Sequence, residues 1–94
     1  MTDNGMLRVV ILEEKDTGLF VAQCLDYDIC TQAGTIEQVK ERFALQLEAE
    51  RQMSLEDSGE EFADIPEAPS FFHDLWGSGN DVSGDSSAHY RIAA

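Results

Sequence analysis

The side chains able to do chemistry in this chain are above all acids: 19 Asp and Glu against 6 Lys and Arg in 94 residues, with two histidines and two cysteines. A hydrolytic metal site needs several carboxylates held by fixed elements around one cation. Asp26 and Asp28 stand two apart in the acidic stretch Leu25-Asp26-Tyr27-Asp28 and could chelate a cation weakly. The same spacing suits a turn whose Asp side chains bond nearby backbone N–H groups. Nucleophilic hydrolysis needs an activated hydroxyl or thiol beside an oriented base. The only histidines, His73 and His89, lie in the C-terminal third, and no serine there has the GxSxG elbow context. Gly77, Gly79 and Gly84 follow no hydrophobic strand and open no helix, so they make no phosphate loop. Cys24 and Cys30 lack CxxC spacing and fall in segments that read as paired strands. Buried thiols are the plain reading, with a disulfide or a metal site as alternatives. The chain is therefore expected to be no enzyme, with no catalytic, cofactor-binding or metal-ligating residues.

A net charge of −13 argues against nucleic-acid binding, because affinity for a phosphate backbone comes mostly from Lys and Arg displacing counterions. A basic protein partner matches it better. No apolar run approaches the roughly 18 residues that cross a bilayer, and Met1 to Asn4 has neither the basic start nor the apolar core of a secretion signal. A cytoplasmic protein is expected.

The elements that would position these residues centre on Gly18 to Leu47, which holds two strands and the one long amphipathic helix. Thr35 and Gln38 form the T-x-x-Q of a capping box, which starts a helix at Thr35 running to about Gln52. Ile36, Val39, Phe43 and Leu47 recur at spacings of three and four as one apolar stripe, leaving Glu37, Lys40, Glu41, Gln46 and Glu48 outward. Leu45 and Ala49 fall near the opposite side, where they would meet another segment or another chain. Leu7 to Glu13 is a nearly continuous apolar and β-branched run, read as a strand with neither face wholly wet. Glu14 to Gly18 closes a hairpin into a second strand, Leu19 to Cys24. After the acidic connection a third strand, Ile29 to Ala33, leads through Gly34 to the helix cap.

Beyond the helix, residues 53 to 68 carry six acids and no base. They read as a solvated linker or as an acidic arm for a basic partner, although Phe62 and Ile65 would gain from packing. Pro69 to Trp76 suits a short helix stopped at Gly77. Its Phe71, Phe72, Leu75 and Trp76 cannot all face one small core, so they cover the sheet or enter an interface. Residues 78 to 87 read as a loop, and His89 to Ala93 as a fourth strand.

This order of parts resembles the HicB antitoxin family over roughly residues 7 to 50, through Val9-Val10-Ile11, Gly18, Val21-Ala22, Asp26, Cys30, Gly34-Thr35 and Glu37. The resemblance implies a truncated RNase H-like fold that keeps the β-β-β-α-β core without nuclease chemistry, and neutralisation of a small basic RNA-cleaving toxin by covering its active surface. Asp28-Ile29 replaces the Pro-Gly common before the third strand. Residues 53 to 94 show no DNA-binding helix pair, so operator binding is not implied.

The combined expectation is one α+β domain over residues 1–94: a three-stranded antiparallel meander, a long helix, a short helix and a fourth strand, partly RNase H-like. Its core spans about 6–52, followed by an acidic linker 53–68, an aromatic helix 69–77, a loop 78–87 and a C-terminal strand 88–93. The expected function is non-catalytic protein binding of the HicB antitoxin type. The alternative is a homo-oligomeric structural or regulatory domain, a dimer or larger. Tyr27, Phe71, Phe72, Leu75 and Trp76 are the candidate partner or oligomer interface.

Overall fold

The apolar and β-branched run Leu7–Glu14 forms β1, the third of five strands in a sheet ordered β3-β2-β1-β5-β4. The remaining elements of the computed structural model, which describes residues 7–82 and 88–93, are β2 (Leu19–Cys24), β3 (Cys30–Ala33), α1 (Ile36–Ser58), α2 (Ser70–Ser78), β4 (Asn80–Val82) and β5 (Ala88–Ile92). The architecture is α+β, a mostly antiparallel sheet with one long and one short helix. Its one parallel pairing joins β5 to β1, with Val9 opposite Tyr90.

The β1–β2 hairpin turns at Gly18, whose φ of 74° is open to glycine at little cost and whose N–H donates to Glu14 O at 2.8 Å. Register then sets the faces. Val9 stands opposite Cys24 and Ile11 opposite Ala22, so these four share one side of the pleat. Val39 and Phe43 of α1 complete that core, with Tyr90 edge-on to Phe43 at 6.4 Å between ring centroids. Ile36 and Leu47 pack at its margin. Removing a fully buried ring such as Phe43 by Phe→Ala costs roughly 3–5 kcal/mol.

Half of the expected capping box is seen: Gln38 N–H donates to Thr35 Oγ1 at 3.1 Å, with Thr35 as the N-cap. The helix end differs from the expected one. α1 continues six residues past Gln52, to Ser58, and Gly59 at φ 79° closes it by donating its N–H to Leu55 O. Residues 53–58, MSLEDS, contain neither glycine nor proline to stop a helix, so the expected linker begins inside α1. Its remainder is tied down: Ala68 N–H donates to Leu25 O at 3.1 Å, Asp28 N–H to Pro66 O at 2.7 Å, and Phe62 and Ile65 pack against the core. The core therefore extends beyond the expected 6–52, taking in Ala68, Ala88 and Tyr90.

The opposite face of the sheet belongs to α2, which packs on β1. Val10 and Leu25 are fully buried yet lie outside the α1-side cluster, as strand alternation requires for Val10. α2 ends at Ser78 rather than Gly77. The expected loop 78–87 contains a further strand, β4, which pairs antiparallel with β5; its three residues are too few for a periodic signal, and 83–87 lie outside the described residues. Gly79 is where chain close approach demands glycine, since a Cβ there would meet Ile92 O at 3.1 Å and Leu75 O at 3.2 Å. β3 starts at Cys30 rather than Ile29. Among the described residues no helix is long and apolar enough to cross a membrane.

Candidate functional site

The five candidate interface residues divide between the two faces. Tyr27, in the β2–β3 connection, packs on the α1-side core and stacks on Phe62, with ring centroids 4.5 Å apart and planes at 29°. None of Phe71, Phe72, Leu75 or Trp76 belongs to that cluster; all four ride on α2 across the sheet.

Phe62 reaches Tyr27 at a backbone cost. Its φ is 57°, a left-handed conformation that costs a non-glycine residue about 1–2 kcal/mol. The stacked pair forms one wall of a cleft of about 360 Å³ whose other walls include Leu7, Glu48, Arg51 and Glu61. Arg51 bonds Glu48 and also Glu61, the latter at 3.3 Å. Hydrogen bonds from Arg51 and Gln52 hold the Glu48 carboxyl below its usual range. With its guanidinium matched to two carboxylates, the cleft presents no free positive charge to an anion, and its apolar wall suits contact rather than chemistry.

On α2, Phe71 and Phe72 meet edge to face at 5.1 Å. Phe71 is 59% exposed, and it is the only one of the four among the exposed large hydrophobics of the described residues. Trp76 is held in place: the Arg91 guanidinium lies 4.4 Å from its ring centroid and donates to its carbonyl at 2.9 Å, while His89 stands edge-on to the ring. Asp81 completes this corner, accepting from Arg91 Nε at 2.9 Å. The Arg91 hydrogen bond keeps the Asp81 carboxyl below its ordinary value. The α2 cluster thus covers the sheet through Trp76 and leaves Phe71 outward.

The acidic connection is built differently from a local Asp turn. Asp26 accepts from Arg8 twice, from its backbone N–H at 3.0 Å and from its guanidinium at 2.8 Å. Asp28 accepts from Gln23 Nε2 at 2.9 Å, so both carboxylates bind strand residues. The two acids do not converge: among the described residues no three His, Cys, Asp or Glu side chains are grouped to hold a metal ion. Cys24 is buried, and burial pushes its thiol up. Cys30, expected to be buried, is exposed on the sheet edge, and both thiols are free.

The sequence points to packing at Phe62 but not to its partner Tyr27, and it singles out neither Arg8 nor Arg91 as a positioning residue. Arg8 carried a signal, as the lone cation in an apolar strand; Arg91 and Phe62 act through partners on segments whose placement no local pattern encodes.

Comparison with known proteins returns no match: no family model, no curated protein and no solved structure is significantly similar to this chain.

Proposed function

We propose that this chain is a non-catalytic module that binds a small basic protein, in the manner of a HicB-type antitoxin covering an RNA-cleaving partner. One observation carries the reading. The acids are concentrated outward, with Glu37, Glu41, Glu48, Glu56 and Asp57 exposed on α1 and Glu60, Glu61, Asp64 and Glu67 exposed in the segment that follows. Such a surface attracts a cationic protein from a distance and speeds encounter. The β-β-β-α succession, followed by a strand that returns beside β1, supports a truncated RNase H-like scaffold. The cleft between Tyr27, Phe62 and Arg51 offers apolar contact next to that acidic surface, which suits an anchor side chain from the partner.

The test is recovery of the tagged chain from its own cells at low and high salt. A small basic protein should accompany it in stoichiometric amount at low salt, and co-expression should restore growth against that protein. A preparation that carries no basic partner, together with no rescue against any toxin encoded beside it, rejects the proposal.

A further inference from the structure

The outer edge of β3 is built for a second copy of this chain. Hydrogen-bond phase fixes which of its backbone groups face outward. Cys24 N–H donates to Ile29 O at 2.9 Å, and the β2–β3 register places Ala22 opposite Thr31 and Val21 opposite Gln32. Because peptide groups alternate along an antiparallel strand, Thr31 and Ala33 point their N–H and C=O toward β2. Cys30 and Gln32 point theirs away. Arg42, reaching over from α1 to Gln32 O at 3.4 Å, marks that outward row. Among the described residues no strand pairs with it.

Charge selects the occupant. β3 reads Cys-Thr-Gln-Ala, an edge strand without a charged side chain, whereas natural edges are commonly blunted by charge. The other edge strand, β4, carries Asp81. Arg42, Ala49 and Met53 follow one line along α1 at i, i+7 and i+11, on the side from which Arg42 meets β3. Leu45 lies next to that line. Leu45 and Met53 are 73% and 51% exposed. On a molecule of charge −13, most of the surface repels another copy, the end of the flank included, where Met53 shares a cleft with Glu50, Asp57 and Asp64; the uncharged β3 edge, Leu45 and the one arginine beside it do not. A cationic partner gains nothing from these.

We infer that two copies pair through antiparallel β3 edges across a two-fold axis at Thr31, joining their sheets into one. The register follows from the outward groups. An axis on Thr31 sets Cys30 opposite Gln32 of the second copy, so both residues exchange both hydrogen bonds. An axis on Cys30 would require Asp28, whose N–H is already given to Pro66 O. An axis on Gln32 would bring Gly34, beyond the strand end, opposite Cys30. This inference is independent of the basic partner and concerns a different surface.

Sedimentation of the full chain over a range of concentrations should show a species of twice the 10.4 kDa chain mass. The pair Cys30→Glu with Gln32→Glu, which places like charges opposite one another, should abolish it with the circular dichroism unchanged. Leu45→Asp with Met53→Asp touches only exposed side chains and should weaken association on the order of tenfold. Thr31→Cys in a Cys30→Ser background should form an intermolecular disulfide, because opposed Cα atoms in a non-hydrogen-bonded pair lie about 4.5 Å apart. A monomer at every concentration overturns the inference. So does a dimer that survives both sets of acidic substitutions, or one that Thr31→Cys fails to cross-link.

Discussion

Arg8 holds Asp26 with two hydrogen bonds, one from its backbone N–H and one from its guanidinium, across 18 residues of sequence. The contact fastens the start of β1 to the connection that carries Tyr27. Leu25 N–H donates to Arg8 O at 2.8 Å, and Ala68 N–H to Leu25 O, so β1, the connection and the segment before α2 meet at one place. Burial alone would raise the Asp26 carboxyl, but the Arg8 hydrogen bonds and charge outweigh it and leave the group below its ordinary value.

Asp26→Asn should therefore destabilise the fold at neutral pH by about 1–2 kcal/mol, a figure discounted for partial exposure of both side chains. A carboxyl lowered by folding stabilises fully above its unfolded value of about 3.9 and loses that contribution as pH falls through the folded value. Urea unfolding of wild type and variant at neutral pH and at successively lower pH should show a gap that closes only below about pH 4. A gap that stays constant into acid would mean the carboxylate charge contributes nothing.

Phe62 sets an attractive contact against an unfavourable backbone. Phe62→Ala should lose the Tyr27 stack while keeping the left-handed strain, a cost of about 1–2 kcal/mol for a half-buried ring. Phe62→Gly removes the same ring but relieves the strain, so it should be more stable than Phe62→Ala by about 0.5–1 kcal/mol despite the greater freedom of its unfolded chain. Chemical denaturation ranks the three proteins. If the alanine variant is the more stable of the two, the positive φ carries no strain.

The sequence made the first half of this fold readable because its signals are local. β1 and β2 alternate or run apolar over six to eight residues, Gly18 marks a turn, and Thr35 with Gln38 marks a helix start. The second half depends on partners distant in sequence. β4 has three residues and exists because β5 lies beside it. The parallel placement of β5 against β1 is a matter of tertiary packing that no periodicity encodes, and α1 outruns its expected end because a change of composition at residue 53 is not a helix stop. Gly59 is the stop signal, three residues after the first acid of the segment, Glu56. The candidate interface residues stand out as a cluster of aromatic and large apolar side chains, but their division between Tyr27 on one face and α2 on the other rests on strand register.

Trp76, the single tryptophan in the chain, reports directly on α2. Arg91→Lys would keep the charge but lose the planar group over the indole and the paired donation to Trp76 O and Asp81. A loss of about 1 kcal/mol is expected, with Trp76 emission shifted to the red as the ring gains water. Unchanged emission and unchanged stability would mean that α2 is held by its packing on β1 alone.

Salt should stabilise this protein, because repulsion among 19 acids opposes a few favourable pairs. At about 0.01 M salt the screening length is roughly 30 Å, comparable with the 38 Å longest dimension of the molecule, so acids across most of the surface sense one another. Near 1 M it falls to about 3 Å and the repulsion is screened, while exposed pairs such as Arg51 with Glu61 lose only tenths of a kcal/mol. Relief of about 1 kcal/mol raises the melting temperature of a domain this size by roughly 4–8 °C. Thermal unfolding across that salt range should show such a rise. A flat or falling melting temperature would place the balance with the local ion pairs, and the outward acids would then cost the fold nothing.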